Sequence, residues 1–138
     1  MDRQRGHDTK HAVLHLPASS DAPGKARDFL ADFASTHDGA AEACLPQGSL
    51  VVSELVANAV MHAGTPVSVG LTVRPDALEV AVGDLDPAPP KLLPPDPHRI
   101  GGLGLHMVNQ LAEAWGVRTI GQRGKTVWCR LRPQAQLG

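Results

Sequence analysis

Tyrosine is absent from the 138-residue chain, and its aromatic complement is Phe29, Phe33, Trp115 and Trp128. So few rings cannot supply the stacking platforms on which single-stranded nucleic acid is held. A one-signed charge excess is missing too. Thirteen Lys and Arg face 14 Asp and Glu, for a formal net charge of −1. With no basic block, a general nucleic-acid binder is not expected. The only cysteines, Cys44 and Cys129, lie far apart and lack metal-ligand spacing. Their apolar surroundings mark them as reduced, buried thiols of a cytoplasmic protein. No apolar run approaches the ~20 residues of a membrane span. The N-terminus, MDRQRGHD, is polar, so neither a signal peptide nor a membrane helix is expected. What remains is a single globular domain with 42% apolar residues, long enough to bury a core.

The most informative stretch is Ser49–Ala63, SLVVSELVANAVMHA. It contains neither Gly nor Pro and reads as a helix of about four turns. Val52, Val56, Ala59, Val60 and Ala63 make one apolar face, while Leu50, Val51, Leu55 and Met61 cover much of the rest. Burial nearly all round is therefore expected. Glu54, Asn58 and His62 are set into this wall four residues apart, a spacing that stacks them in one stripe. Buried polar groups need partners. Either neighbouring loops supply them, or the stripe lines a cleft that holds a cation or phosphate. A carboxylate and an amide oxygen suit Mg²⁺.

Residues 1–10 read as a tail and 134–138 as a second one, leaving 11–133 as the domain. His11–Leu16 has an edge-strand pattern. His7, His11 and His15 would not converge on a strand, so no metal site is expected there. Ser19-Ser20-Asp21 with Pro23 signals a helix start, and the Phe29, Leu30 and Phe33 stripe carries that helix over 22–36. Gly64-Thr65-Pro66 ends the central helix. Val67–Val73 and Ala77–Val82 form a hairpin around Arg74-Pro75-Asp76. Six of the twelve prolines then fall between Leu85 and Pro97, which marks residues 85–100 as a long lid-like loop. A helix follows from the glycine cluster through about Trp115, stopped by Gly116. Val117–Ile120 and Thr126–Leu131 make a last hairpin. The order β-α-α-β-β-loop-α-β-β predicts an α/β (α+β) two-layer sandwich: a mixed, mainly antiparallel sheet with helices on one face.

Two further features bear on chemistry. Gly101, Gly102 and Gly104 at a helix start permit close backbone approach to a phosphate, although GGLG fits neither the Rossmann nor the P-loop pattern. Asp84, at a strand end, is either a turn-forming residue or an acceptor for the exocyclic amine of adenine.

The order of these pieces carries more than any one of them. ELVANAVMHA (Glu54–Ala63), Asp84, the lid, GGLGL (Gly101–Leu105) and GKTVW (Gly124–Trp128) together resemble the GHKL ATPase/kinase superfamily. Within it the pattern is most similar to the small bacterial anti-sigma-factor serine/threonine kinases, over roughly residues 12–132. The resemblance implies a Bergerat-type ATP-binding fold with ATP and Mg²⁺ as cofactors. It makes Asn58 the Mg²⁺ ligand, Glu54 the general base and Asp84 the adenine contact. Gly102, Gly104 and Leu105 would bind at the phosphates, and Thr126 would close the adenine pocket. It gives His62 a structural hydrogen bond. Implied partners are a sigma factor and an anti-anti-sigma (STAS) protein, with a homodimer as the family's habit and with neither nucleic acid nor membrane. One departure stands out: Asp86 occupies the position where the family carries glycine after its Asp box. Lys91 and Arg99 are the lid cations that could meet a γ-phosphate. Two other functions compete with the kinase. One is a non-catalytic module that binds a sigma factor or another regulator; the other is a stand-alone histidine-kinase-like ATPase domain.

Overall fold

The computed structural model describes residues 9–37, 40–88 and 104–133. Strand β1 (Lys10–Leu16) is followed by helix α1 (Ala22–Thr36), the short α2 (Ala40–Ala43) and the central α3 (Leu45–Asn58), which runs into a π-helical turn at Ala59–Ala63. Strands β2 (Val67–Arg74) and β3 (Ala77–Asp84) precede α4 (Gly104–Leu111), and β4 (Ala114–Thr119) and β5 (Lys125–Leu131) complete the chain. The five strands form one sheet in the order β1-β2-β3-β5-β4. Every pairing is antiparallel, so the two-layer sandwich is as expected while the sheet needs no parallel crossover.

Period-two alternation decides which sheet face is covered. Register places Val73, Leu78 and Leu131 in one row, Leu71, Val80 and Cys129 in the next, and Val69, Val82 and Val127 in a third. All nine are buried. The residues between them, including Thr72, Gly70, Ala81 and Trp128, are only half-buried and form the open face. Helix α3 packs on the covered face against β3, with α1 and α4 on its flanks. Val51, Val52 and Val56 are fully buried in that contact.

Several elements differ from the sequence expectation. The central helix begins at Leu45, with Pro46 accommodated in its first turn. Gly48 lies within it because a Cβ there would sit 3.0 Å from Leu30 Cδ2 and 3.2 Å from Leu78 Cδ2. The helix is not buried all round, since Leu50 is 50% and Met61 58% exposed. The last helix stops at Leu111 rather than near Trp115. The Glu113 N–H donates to Arg130 O at 2.9 Å, and Trp115 pairs with Cys129 as part of β4. Gly116 is thus a strand residue, where a Cβ would meet the Trp128 indole at 3.0 Å. Pairing with β5 overrode a helical periodicity that local sequence favoured.

His11 and His15 lie on the open face of β1, and His11 Nδ1 shares a hydrogen bond with Thr72 Oγ1 at 2.8 Å. His7 lies outside the described residues. Among the described residues no cluster of His, Cys, Asp or Glu could hold a metal ion, and no helix is long and apolar enough to cross a membrane. Both cysteines are free and buried. Burial pushes the Cys129 thiol up to about 12 and also raises that of Cys44.

Two outcomes follow from this packing. Replacing Gly48 with Leu forces atoms into Leu30 and Leu78 and is expected to lower stability by about 1–3 kcal/mol in urea unfolding; an unchanged midpoint would contradict the close approach. Thiol labelling at pH 8 should leave Cys129 unmodified in the native state and be complete in denaturant, since burial both shields the thiol and disfavours its thiolate. The folded thiol holds its proton more tightly than the unfolded one, so its stabilising effect is complete below pH 9.0 and fades as pH rises toward about 12.

Candidate functional site

Helix α3 carries Glu54 and Asn58 beside the aliphatic Val51, Leu55 and Ala57. Glu54 and Asn58 are each half-buried, and i, i+4 spacing puts their Cβ atoms roughly 5–6 Å apart on one face. Glu54 Oε2 and Asn58 Oδ1 are fully buried without a hydrogen-bond partner among the described residues. Partnerless buried oxygens are rare in folded proteins because desolvation is uncompensated. Two of them, adjacent and both acceptors, make a donor set that suits an oxygen-seeking cation such as Mg²⁺.

The helix changes pitch immediately after Asn58. Residues Ala59–Ala63 adopt a π-helical turn, and the Gly64 N–H reaches back to Ala59 O at 3.2 Å. Gly64 closes the element in the left-handed region at φ 64°, which glycine adopts without strain. His62, within that turn, is exposed, so the buried part of the expected three-residue stripe is Glu54 and Asn58.

Asp84 ends β3 on the covered face, in line with Val80 and Val82, and the end of α3 packs toward the same strand. Its carboxylate has company. Asp84 Oδ1 accepts the Asp86 N–H at 2.8 Å and the Lys125 ammonium at 3.1 Å. Lys125 also donates to Asp86 O at 2.9 Å. Asp86 in turn caps Ala88 N–H at 3.0 Å, and Thr65 Oγ1 accepts from Leu85 N–H at 2.9 Å. Asp86 needs no glycine geometry, since among the described residues no non-glycine has positive φ. The loop after β3 is therefore shaped by side-chain caps and one lysine.

Thr126 pairs with Gly83 and so faces the open side of the sheet, one residue out of phase with Asp84. There it lines a cavity of about 420 Å³ with His15, Ser68 and Arg123, and Asp84 and Lys125 line the same cavity. The neighbour that faces Asp84 is Lys125. Sequence reasoning missed it, although the signal was present: Lys125 shares the inward parity of Val127, Cys129 and Leu131, all buried. Gly124 makes the approach feasible. At φ 150° it brings β5 so close to β3 that a Cβ would lie 2.2 Å from Asp84 O.

Gly104 is the first residue of α4 and Leu105 the second. Gly102, Lys91, Arg99 and the lid beyond Ala88 lie outside the described residues. The structure thus unites Glu54 and Asn58 on one helix and sets Asp84 with Lys125 at the adjoining strand ends.

A family model described as a histidine kinase-like ATPase domain matches residues 16–131. Among solved structures, the chain is similar to the RsbU and RsbW domains of Rv1364c from Mycobacterium tuberculosis, at 22% identity with a TM-score of 0.63. That likeness covers 88% of this chain and 32% of the other, so this chain spans about a third of that protein's chain. At this identity the likeness is one of fold. No curated protein matches the chain.

A buried acceptor kept without a partner costs stability of roughly 1–3 kcal/mol. Asn58→Leu, which removes the polar atoms at similar volume, is expected to leave the ligand-free protein as stable or about 1 kcal/mol more stable. Thermal and urea unfolding check this, and a large destabilisation would mean that Asn58 has a structural partner.

Proposed function

The chain belongs to the histidine kinase-like ATPase family, and from that premise we propose that it is an ATP-binding regulator of the anti-sigma type. It binds Mg·ATP at α3, transfers the γ-phosphoryl group to a serine of an anti-anti-sigma (STAS) partner and captures a sigma factor in the cytoplasm. The observation that carries this reading is the pair of buried, partnerless acceptors Glu54 Oε2 and Asn58 Oδ1. They fit a nucleotide-bound cation, and no described neighbour explains them.

Bound Mg·ATP supplies the phosphoryl group and the positive charge that offsets the charge building on its oxygens. Asn58 Oδ1 serves as a ligand to the ion. Glu54, one turn earlier, orients the serine hydroxyl and takes its proton as attack begins. Its buried oxygen favours that task, because a carboxylate without competing donors is free to accept. Gly102, Gly104 and Leu105 contribute backbone at the phosphates, where the start of α4 favours negative charge.

A second reading is a regulator-binding module that works without nucleotide. The Lys125–Asp84 ion pair favours it, since the carboxylate expected at the base is already engaged. Labelled-phosphate transfer to a STAS-domain protein separates the readings. The kinase predicts acid-stable phosphoserine on the partner, and a fall of about 10²–10⁴-fold for Glu54→Gln with Mg·ATP affinity within about threefold of wild type. Partner capture indifferent to nucleotide and to Asn58→Ala would favour the module. Acid-labile phosphate on the partner would instead identify a histidine-kinase-like activity.

A further inference from the structure

Strand register sets one row of residues across the open face of the sheet, close to where β3 ends. His15 pairs with Ser68, Ser68 with Gly83, and Gly83 with Thr126. Neither hydroxyl of this row has a hydrogen-bond partner among the described residues. Both approach the same point, since a Cβ at Gly83 would lie 2.7 Å from Ser68 Oγ and 3.3 Å from Thr126 Oγ1. All four residues line the cavity of about 420 Å³, and Arg123 joins them from the turn before β5.

The lining has two chemistries. Its polar part is rich in donors: two hydroxyls, the His15 imidazole and the Arg123 guanidinium. Among the described residues Arg123 meets no carboxylate, whereas Arg74, Arg130 and Arg132 each do. Asp84 is the carboxylate of the cavity, and the Lys125 ammonium 3.1 Å away offsets its charge. The guanidinium is left as the uncompensated charge, which selects an oxyanion over a cation, and its planar fork matches phosphate. The other part of the lining is apolar, from Pro66, Leu85 and Ile120. Leu85 is 59% and Ile120 54% exposed, and large apolar side chains left exposed around a concavity mark a binding surface. The volume falls in the range of small-molecule pockets, roughly 300–1,000 Å³, and exceeds what inorganic phosphate fills.

We propose that this open-face cavity is a binding site for a small phosphomonoester. The phosphate accepts hydrogen bonds from Ser68, Thr126 and Arg123 over Gly83, where any larger residue would intrude, and the organic group lies on Leu85 and Ile120. The donors face away from the sheet side on which α3 packs, so the site is separate from Glu54 and Asn58. It stands or falls independently of nucleotide binding there.

The test follows backbone amide resonances during titration with phenyl phosphate, inorganic phosphate and benzoate in turn, without Mg²⁺ and at constant ionic strength. Phenyl phosphate is expected to shift the Ser68, Gly83 and Thr126 amides saturably. It should bind about tenfold more tightly than inorganic phosphate, which lacks the apolar group, and than benzoate, which lacks the phosphate. Thr126→Val, which keeps the shape and removes the hydroxyl, and Arg123→Gln should each weaken phenyl phosphate by about tenfold. Absence of saturable shifts at these amides by about 10 mM ligand would overturn the proposal, as would affinity unchanged in both variants. Benzoate or inorganic phosphate binding as tightly as phenyl phosphate would overturn the phosphomonoester assignment. Shifts confined to Ala57–Val60 would place the anion at α3 and overturn it too. Should Thr126→Val fail to melt cooperatively, the exposed Arg123→Gln decides.

Discussion

Burial of α3 against β3 is the contact on which the other elements depend. Val51, Val52, Leu55 and Val56 cannot be exposed without losing most of the apolar area that one helix supplies, each such side chain contributing about 1.5–3 kcal/mol when fully buried. Gly48 lets the first turns come close enough for Leu30 and Leu78 to touch the backbone. That closeness fixes the axial position of the helix. It also fixes where Glu54 and Asn58 stand, since both belong to the same rigid segment. Two partnerless acceptors can persist only because the surrounding packing is strong enough to hold them. The polar pair is thus a local cost carried by a good core, the pattern expected where function rather than stability selects the residue.

Strand register does comparable work at the other end. Gly124 and the tight loop from Ile120 bring β5 against β3 so that Lys125 meets Asp84 on the covered face. The Asp86 carbonyl and amide complete the arrangement. A buried ion pair gains little net stability against a well-packed apolar pair, while removal of one partner is costly. Lys125 and Asp84 therefore constrain each other more than they stabilise the fold. Glu54 and Asn58 thus keep partnerless acceptors, whereas Asp84 is already paired with Lys125.

Much of this was legible in the amino-acid sequence, and the reasons are physical. Helix α1 showed its bounds because Pro23 and the Phe29, Leu30, Phe33 stripe are local signals. The β2–β3 hairpin was readable from alternation and from Pro75 in its turn. Glu54 and Asn58 stood out because polar residues on an aliphatic helix are conspicuous. Other features depended on long-range contacts that no local pattern carries. Trp115 followed a helical stripe yet joined β4, since pairing with Cys129 satisfies its backbone. Gly48 is a packing contact against Leu30 and Leu78. His62 continued the four-residue spacing, but it lies in the π turn after Asn58 and is exposed. Lys125 rather than Thr126 shares the face of Asp84, because one step in strand phase decides the face. The parity of Lys125 with Val127 and Cys129 would have revealed that step.

The central claim is that α3, at Asn58, holds a nucleotide-bound divalent cation. Paramagnetic broadening of backbone amide resonances by Mn²⁺, added with and without ATP, tests it most directly. The account predicts that Mn²⁺ with ATP broadens the amides around Ala57–Val60 first, and that neither Mn²⁺ alone nor the Asn58→Leu protein shows this pattern. Broadening confined to surface carboxylates such as Asp28 or Asp32, unchanged by ATP, would contradict it.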